Sequence, residues 1–242
     1  MATQLLFYEA AVPVSAARHA DWSIEPNDYS FCRNINSVPL TAVEFPMAAL
    51  EYSIVFAGEP GALIPVAIVG VRPTENLFVN AAGAWDGKYV PGFVRRYPFV
   101  FTTPDQGNTY TLCIDETYPG FNQEGRGQRL YDEQRKPSPF TEQVLEFLRQ
   151  YQVELGRTQD FCRKLEALGL LVPMQVDVTS ADGQSGALGG FLAVDRDKLR
   201  ALAPERFAEL AKTDELEMIY VHLQSLNNFP QMRTRFEARQ AG

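Results

Sequence analysis

The stretch "WDGKYVPGFVRRYPFVF", residues 85–101, holds six aromatic side chains and an adjacent arginine pair in one short run. Its reading decides the fold. Asp86-Gly87 is a strong two-residue turn signal flanked by Trp85 and Tyr89, so "KYVPGFV" and "YPFVFTT" are expected to be strands around tight turns. Working upstream, "TAVEFPMAAL", "EYSIVFAG", "ALIPVAIVGV" and "NLFVNAAG" are short apolar runs bounded by Gly, Pro and Asn, which also read as strands. The nearly continuous apolar run at 62–71 fits a strand covered on both faces, and Pro65 places its start at an edge or bulge. Working downstream, Asp105-Gln106-Gly107-Asn108 is the expected turn joining "PFVFTT" to "TYTLCIDE".

Residues 118–138 are polar with few aliphatics and read as a connecting loop. Helix is expected next. Ser138 can cap, Pro139 suits the first helical position, and Val144, Leu145, Leu148, Tyr151 and Leu155 recur at helical spacing. Gly156 is expected to break this helix, Thr158 to cap a second one, and Gly169 to end it. Val176 and Val178, the turn Asp182-Gly183 and "GALGGFLAV" predict a further hairpin. Asp195 and Pro204 open short helices. Residues 216–226 have helical spacing, although "EMIYVHL" is also compatible with a strand. The expected class is α+β, with an antiparallel β-rich N-terminal half, and helices plus a further β-hairpin in the C-terminal half. One unit spanning 1–242 is expected; the alternative is two sub-lobes, 1–121 and 139–242, joined by loop 122–138.

Bulk composition narrows the function classes. The chain has 242 residues, 45% hydrophobic and 21% charged, as expected of a globular protein with a sizeable core. Its net charge of −8 disfavours general binding to phosphate backbones, so no nucleic-acid partner is expected. The apolar run near the N-terminus is short, interrupted by Glu9, and preceded by no Lys or Arg, so a signal peptide is not expected. No apolar segment is long enough for a membrane span. The expected location is cytoplasmic; leaderless export would leave no mark on the sequence. Cys32, Cys113 and Cys162 are widely spaced without a C-x-x-C and read as reduced, buried thiols.

Chemistry-bearing motifs are sparse. His19 and His222 are the only histidines, and neither HExxH nor HxH occurs, so no metal site is expected. His222 reads as a partly buried, hydrogen-bonded side chain, and His19 as exposed. No G-x-S-x-G, P-loop or dinucleotide fingerprint occurs, and no cofactor is expected. Asp115 and Glu116 would point to opposite faces of a regular strand, and Asp214-Glu215 suits a helix N-terminus.

Residues 85–97 therefore remain the leading candidate. Trp85, Tyr89, Phe93 and Tyr97 recur every four residues around Arg95 and Arg96. In a strand, one of two adjacent arginines points inward and needs a carboxylate, an aromatic face or a ligand anion. The partner-binding candidates are Trp85, Tyr89, Arg95, Arg96 and Tyr97. The competing account is a structural hairpin whose arginine pairs with Asp115 or Glu116. A second polar-aromatic cluster holds Trp22, Tyr29, Phe31 and Arg33, and Tyr118 joins Asp115 and Glu116 as a secondary candidate.

The run at 85–99 resembles the SapC family, bacterial proteins associated by name with surface-layer proteins. "LCID" at 112–115, "GRGQRLY" at 125–131, "LGGFLAVDRDKL" at 188–199 and "YVHLQSLNN" at 220–228 extend the resemblance along nearly the whole chain. The resemblance carries no catalytic residues with it. It implies a link to surface-layer protein handling and an accessory role beside flavin-dependent halogenase-like proteins. The absence of a spanning segment separates this chain from the peptide-transporter permease of the same name. Three functions follow as expectations. The first is a non-enzymatic accessory protein that binds a protein or peptide partner, or presents a peptide or sugar. The second is an enzyme of unfamiliar type with an Arg/Tyr/carboxylate pocket. The third is a structural surface-layer component.

Overall fold

The computed structural model describes residues 6–26, 28–103, 110–179 and 185–241. The N-terminal part contains β1 (Ala11–Pro13), α1 (Ala16–His19), β2 (Ser23–Ile24), β3 (Ser37–Pro39), α2 (Phe45–Ala48), β4 (Ser53–Ala57) and β5 (Ile64–Ile68). After these come α3 (Gly92–Arg95), β6 (Phe99–Thr102), β7 (Thr111–Asp115), β8 (Phe121–Asn122) and β9 (Gln128–Arg129). The long helix α4 (Pro139–Ala167) leads into β10 (Leu171–Thr179) and β11 (Ser185–Val194). The chain finishes with α5 (Arg196–Arg200), α6 (Pro204–Lys212), α7 (Glu215–Ser225) and α8 (Phe229–Ala241). The class is α+β with antiparallel sheets.

The largest sheet runs β10-β11-β4-β5-β3, so both halves of the chain build it. Ile54, Val55 and Phe56 in β4 are all fully buried. Successive strand residues face opposite sides, so this sheet is covered on both faces. Helix α7 packs on β4 and α4 packs on β5. Pro65 pairs with Phe56, while its carbonyl accepts from the N–H of Leu40, just past the end of β3. Its missing N–H therefore faces the place where β3 has stopped, a position at which proline costs no ladder bond. A second sheet, β1-β7-β6, and a third, β8-β2-β9, enclose a smaller core of Ile24, Phe99, Ile114, Leu130 and Leu148.

Several local expectations change. "KYVPGFV" is not a strand: Pro91 starts the single-turn helix α3, with Val94 and Arg95 N–H groups bonding the Pro91 carbonyl. Proline's fixed φ suits a helix start, and Gly92 fits beneath a buried carboxylate. "TAVEFPMAAL" folds as a 3-10 turn over Ala42–Glu44 and then α2. The Thr41-x-x-Glu44 spacing and Pro46 are helix-start signals that outweigh the apolar run. "NLFVNAAG" contributes only an isolated bridge, Val79 to Trp85. Loop 118–138 contains β8 and β9, which pair with β2.

Gly156 does not break α4. It is exposed, costing about 1 kcal/mol relative to Ala, while Tyr151, Leu155, Phe161 and Leu165 on the buried stripe hold the helix. Thr158 is buried mid-helix instead of capping; its hydroxyl donates to the Glu154 carbonyl (2.6 Å) and accepts from Ala42 N–H (2.8 Å). Ser138 does cap α4, accepting from Thr141 N–H, and Gly169 ends it at φ +64°. Residues 215–225 are helical. The turns expected at Asp105–Asn108 and Asp182-Gly183 lie outside the described residues, although the strands flanking each do pair antiparallel.

Candidate functional site

A buried carboxylate fixes the start of α3. Glu44 Oε2 accepts from Thr41 N–H (2.8 Å) and Thr41 Oγ1 (2.9 Å), and Oε1 accepts from Tyr89 Oη (2.8 Å) and Gly92 N–H (2.6 Å). Four donors on one buried carboxylate offset its desolvation. They also lock Tyr89 in place, and burial followed by the Glu44 charge pushes the Tyr89 phenol upward.

Helix α3 then sends its arginines in different directions, as adjacent helical positions do. Arg95 is exposed, donates to the Val90 carbonyl, and lies over the rings of Tyr89 and Phe147. Arg96 is buried, 3% exposed, with its guanidinium 4.1 Å from the Phe93 ring centroid and 5.3 Å from that of Tyr151. It also lies 5.8 Å from the Tyr8 ring centroid. Of the supports expected for an inward arginine (a carboxylate, an aromatic face or a ligand anion), an aromatic face is present here, on a helix rather than a strand.

Tyr97 is the hub of an aromatic ridge. It stacks on Phe31 (4.2 Å between centroids) and meets Tyr8, Phe7 and Tyr118 edge-on (5.0, 5.4 and 5.4 Å). A cleft of about 290 Å³ opens on one side, lined by Tyr29, Phe31, Arg95, Tyr97, Tyr118 and Phe140 among others. A second, of about 240 Å³, adds Phe7, Glu9 and Thr117. Asp28, Phe31, Tyr97 and Tyr118 line both, so the two clefts flank one ridge. The ridge joins residues packed on the larger core (Phe7, Tyr29, Phe31) to residues of the smaller one (Tyr97, Tyr118).

Asp115 supports the ridge from behind. It is fully buried; Oδ2 accepts from Glu9 N–H (2.8 Å) and, at 3.4 Å, from Tyr97 Oη, while Oδ1 accepts from Thr117 Oγ1 (2.7 Å). Desolvation and then the Asp115 charge raise the Tyr97 pKa, so its hydroxyl stays protonated and acts as a donor.

The remaining candidates are placed elsewhere. Trp85 is half-buried, stacks with Phe78, meets Tyr29 edge-on, and donates to Tyr52 Oη (3.1 Å). Arg33 clamps the carbonyls of Asn80 and Ala81. Glu116 pairs with Arg18 (2.5 Å) and His19 (2.8 Å) instead of Arg95 or Arg96. Trp22 covers His19 and Phe121. His19, expected to be exposed, is fully buried: Ser15 N–H donates to Nδ1, which leaves Nε2 to donate to Glu116. Against the upward push of desolvation, the hydrogen bonds from His19 and Arg18 hold Glu116 below the usual carboxylate range. His222 is fully buried between Ile54 O (2.9 Å) and Val194 N–H (3.1 Å). The three cysteines are buried free thiols, and burial pushes Cys32 and Cys162 up to about 12.

Reading the sequence missed Phe7, Tyr8 and Glu44 as parts of this region, and placed Phe31 in a separate cluster from Tyr97. Only Glu44 carried a local signal, the Thr41-x-x-Glu44 spacing. The others join through contacts more than fifty residues apart along the chain, as between Phe31 and Tyr97. Among the described residues no cluster of His, Cys, Asp and Glu is arranged to hold a metal ion, and no helix is long and apolar enough to cross a membrane.

The SapC family model matches residues 14–232, nearly the whole chain, so the protein belongs to that family. No curated protein and no solved structure matches it.

Proposed function

We propose that this member of the SapC family is a non-enzymatic accessory protein that binds an extended polypeptide segment across the Tyr97 ridge. The observation that carries the reading is the pair of clefts sharing Asp28, Phe31, Tyr97 and Tyr118 as a common wall. A compact substrate is best served by one enclosed pocket, whereas an elongated chain can cover a ridge and place side chains on both sides of it. Aromatic faces supply contact area at low entropic cost, with Arg95, Glu25 and Asp28 as polar rim. Burial keeps the Tyr97 phenol neutral with its proton turned to Asp115, which leaves its oxygen to accept from a peptide N–H and does not suit proton abstraction. A cytoplasmic location and a partner in a surface-protein or flavin-dependent halogenase-like system are the finer parts of this proposal. The partner rests on the family resemblance, and the location on the N-terminal sequence pattern.

The test is a random-peptide display selection against the full chain, followed by calorimetry of the selected peptides. Peptides that bind wild type should bind the Tyr97→Ala, Phe31→Ala double variant at least tenfold more weakly, provided circular dichroism shows that variant folded. An Arg33→Lys control should retain binding. Failure to select any peptide, or selected peptides indifferent to the double variant, would refute the reading. A glycan array run in parallel identifies a saccharide occupant, which would refute the polypeptide assignment.

A further inference from the structure

The two clefts beside the Tyr97 ridge differ in charge. The one of about 240 Å³ presents four aromatic rings, those of Phe7, Phe31, Tyr97 and Tyr118, and two carboxylates, Glu9 and Asp28. No Lys, Arg or His lines it among the described residues, whereas Arg95 lines the other cleft. Glu9 is exposed, and its bond to the fold is through the backbone: its N–H donates to Asp115 Oδ2 (2.8 Å), which leaves the carboxylate turned to the cleft. Asp28 Oδ1 accepts from Ser30 N–H (2.9 Å). A third negative charge lies behind the wall. Asp115 is fully buried, and the donors it accepts from are neutral: Glu9 N–H, Tyr97 Oη, and the N–H (3.2 Å) and Oγ1 (2.7 Å) of Thr117. Tyr97 and Thr117 both line the cleft, so this buried charge sits one side chain away from it. Burial first, and then the charges of Asp115 and Glu9, raise the Tyr97 pKa, which puts both carboxylates within electrostatic reach of the ridge.

From this arrangement we infer that the polypeptide bound across the ridge is basic, and that this cleft takes the side chain of one of its arginines. The inference rests on the polypeptide reading above and adds the chemistry of the segment. A guanidinium lies flat on Tyr and Phe faces and is attracted by their negative quadrupole, and its planar fork donates to both oxygens of a carboxylate such as Glu9. A lysine ammonium is a compact, strongly hydrated point charge and covers the rings less well. An apolar side chain placed here would strip water from Glu9 without replacing its hydrogen bonds, and an anionic one would meet like charge on every side. The cleft holds about sixteen times the volume that one water needs, which is room for a guanidinium and part of its stem. The chain carries −8 overall, so its wider field attracts a basic segment as well.

The test is a two-dimensional amide NMR titration of the full chain with Nα-acetylarginine methylamide and with its neutral citrulline counterpart. The arginine probe should give saturable shifts at Phe7, Glu9, Ser30 and Thr117. The citrulline probe should bind roughly tenfold more weakly, since it loses the charge-assisted bonds and the cation–π attraction. Glu9→Gln, a change at an exposed side chain, should weaken the arginine probe severalfold and leave the citrulline probe unchanged. Nα-acetyllysine methylamide should bind more weakly than the arginine probe; equal binding overturns the choice of arginine. Peptides selected on the full chain that need Tyr97 and Phe31 should carry an arginine whose replacement by citrulline lowers affinity roughly tenfold. Ridge-dependent peptides that lack arginine, or that are indifferent to Glu9→Gln, overturn this inference and leave the polypeptide reading standing. It is equally overturned if the arginine probe gives no saturable shifts in the cleft at tens of millimolar, or if citrulline binds as well as arginine. If no peptide is selected at all, the polypeptide reading fails and this inference falls with it.

Discussion

Acidification from pH 7 to pH 5 should destabilise this protein through His222. The imidazole is fully buried between β4, β11 and α7, and Phe56 packs against its ring. Val194 N–H donates to Nε2, so Nδ1 carries the proton and donates to the Ile54 carbonyl. That arrangement accommodates the neutral ring and gives a second proton nowhere to go. Burial, partly countered by the Ile54 bond, pushes the pKa from 6.5 down to about 4. The folded pKa lies below the unfolded one, so the contribution is present above about pH 6.5 and is lost as pH falls toward 4. At pH 5 the unfolded chain is mostly protonated at this position and the folded chain mostly is not. The difference between the two protonation equilibria is about 2 kcal/mol relative to pH 7, rising to about 3 kcal/mol at pH 4. His222→Gln isolates the effect, because the amide can donate to Ile54 and accept from Val194 but does not titrate. At pH 7 that variant should be less stable by about 1–2 kcal/mol from imperfect bond geometry. Urea unfolding followed by circular dichroism at pH 7, 6 and 5 measures both chains. Wild type should lose about 2 kcal/mol more than the variant over that range. Equal losses would show that His222 is not held neutral, and the reasoning would fall.

Two further predictions concern the ridge and its supports. Glu44→Gln should cost about 2–4 kcal/mol in urea unfolding, because the new amide N–H₂ group would face donors where a carboxylate oxygen now accepts two bonds; a loss under 1 kcal/mol would show that the four bonds are not all made. Gly120→Ala should reduce peptide binding at the ridge, since its Cβ would sit 2.4 Å from both the Glu25 carbonyl and Tyr118 Cε1 and push a ridge residue aside. Calorimetry with a ridge-selected peptide checks this, and unchanged affinity would place Tyr118 outside the binding surface.

Parts of the fold were legible because their causes are local. Ser138-Pro139 marks the start of α4, Gly169 its end, and Asp195 the start of α5, since each satisfies or terminates backbone bonds within a turn of itself. Runs 53–57 and 64–68 were readable as strands because burial on both faces leaves a nearly continuous apolar string. Residues 85–98 were misread because Asp86-Gly87 and the aromatic repeat describe a hairpin equally well. What makes α3 helical is Glu44, nearly fifty residues upstream, receiving the Gly92 N–H. His19 was misread for a related reason: a histidine in a polar stretch is ordinarily exposed, and the Glu116 that pairs with it is 97 residues away.

For the site, the sequence alone determined the inventory: an acidic chain, poor in histidine, with aromatic rings and two arginines concentrated near residue 90. It also determined the family, whose pattern is spread along the chain and survives without knowledge of contacts. Only the tertiary structure decided which aromatics act together, separating Trp85 and Tyr89 as supports from Tyr29, Tyr97 and Tyr118 as ridge. Only it sent Arg95 to one depression and Arg96 to another. Side-chain direction at α3 depends on which way a single helical turn is rotated, and that rotation is set by long-range hydrogen bonds and packing that no local pattern encodes.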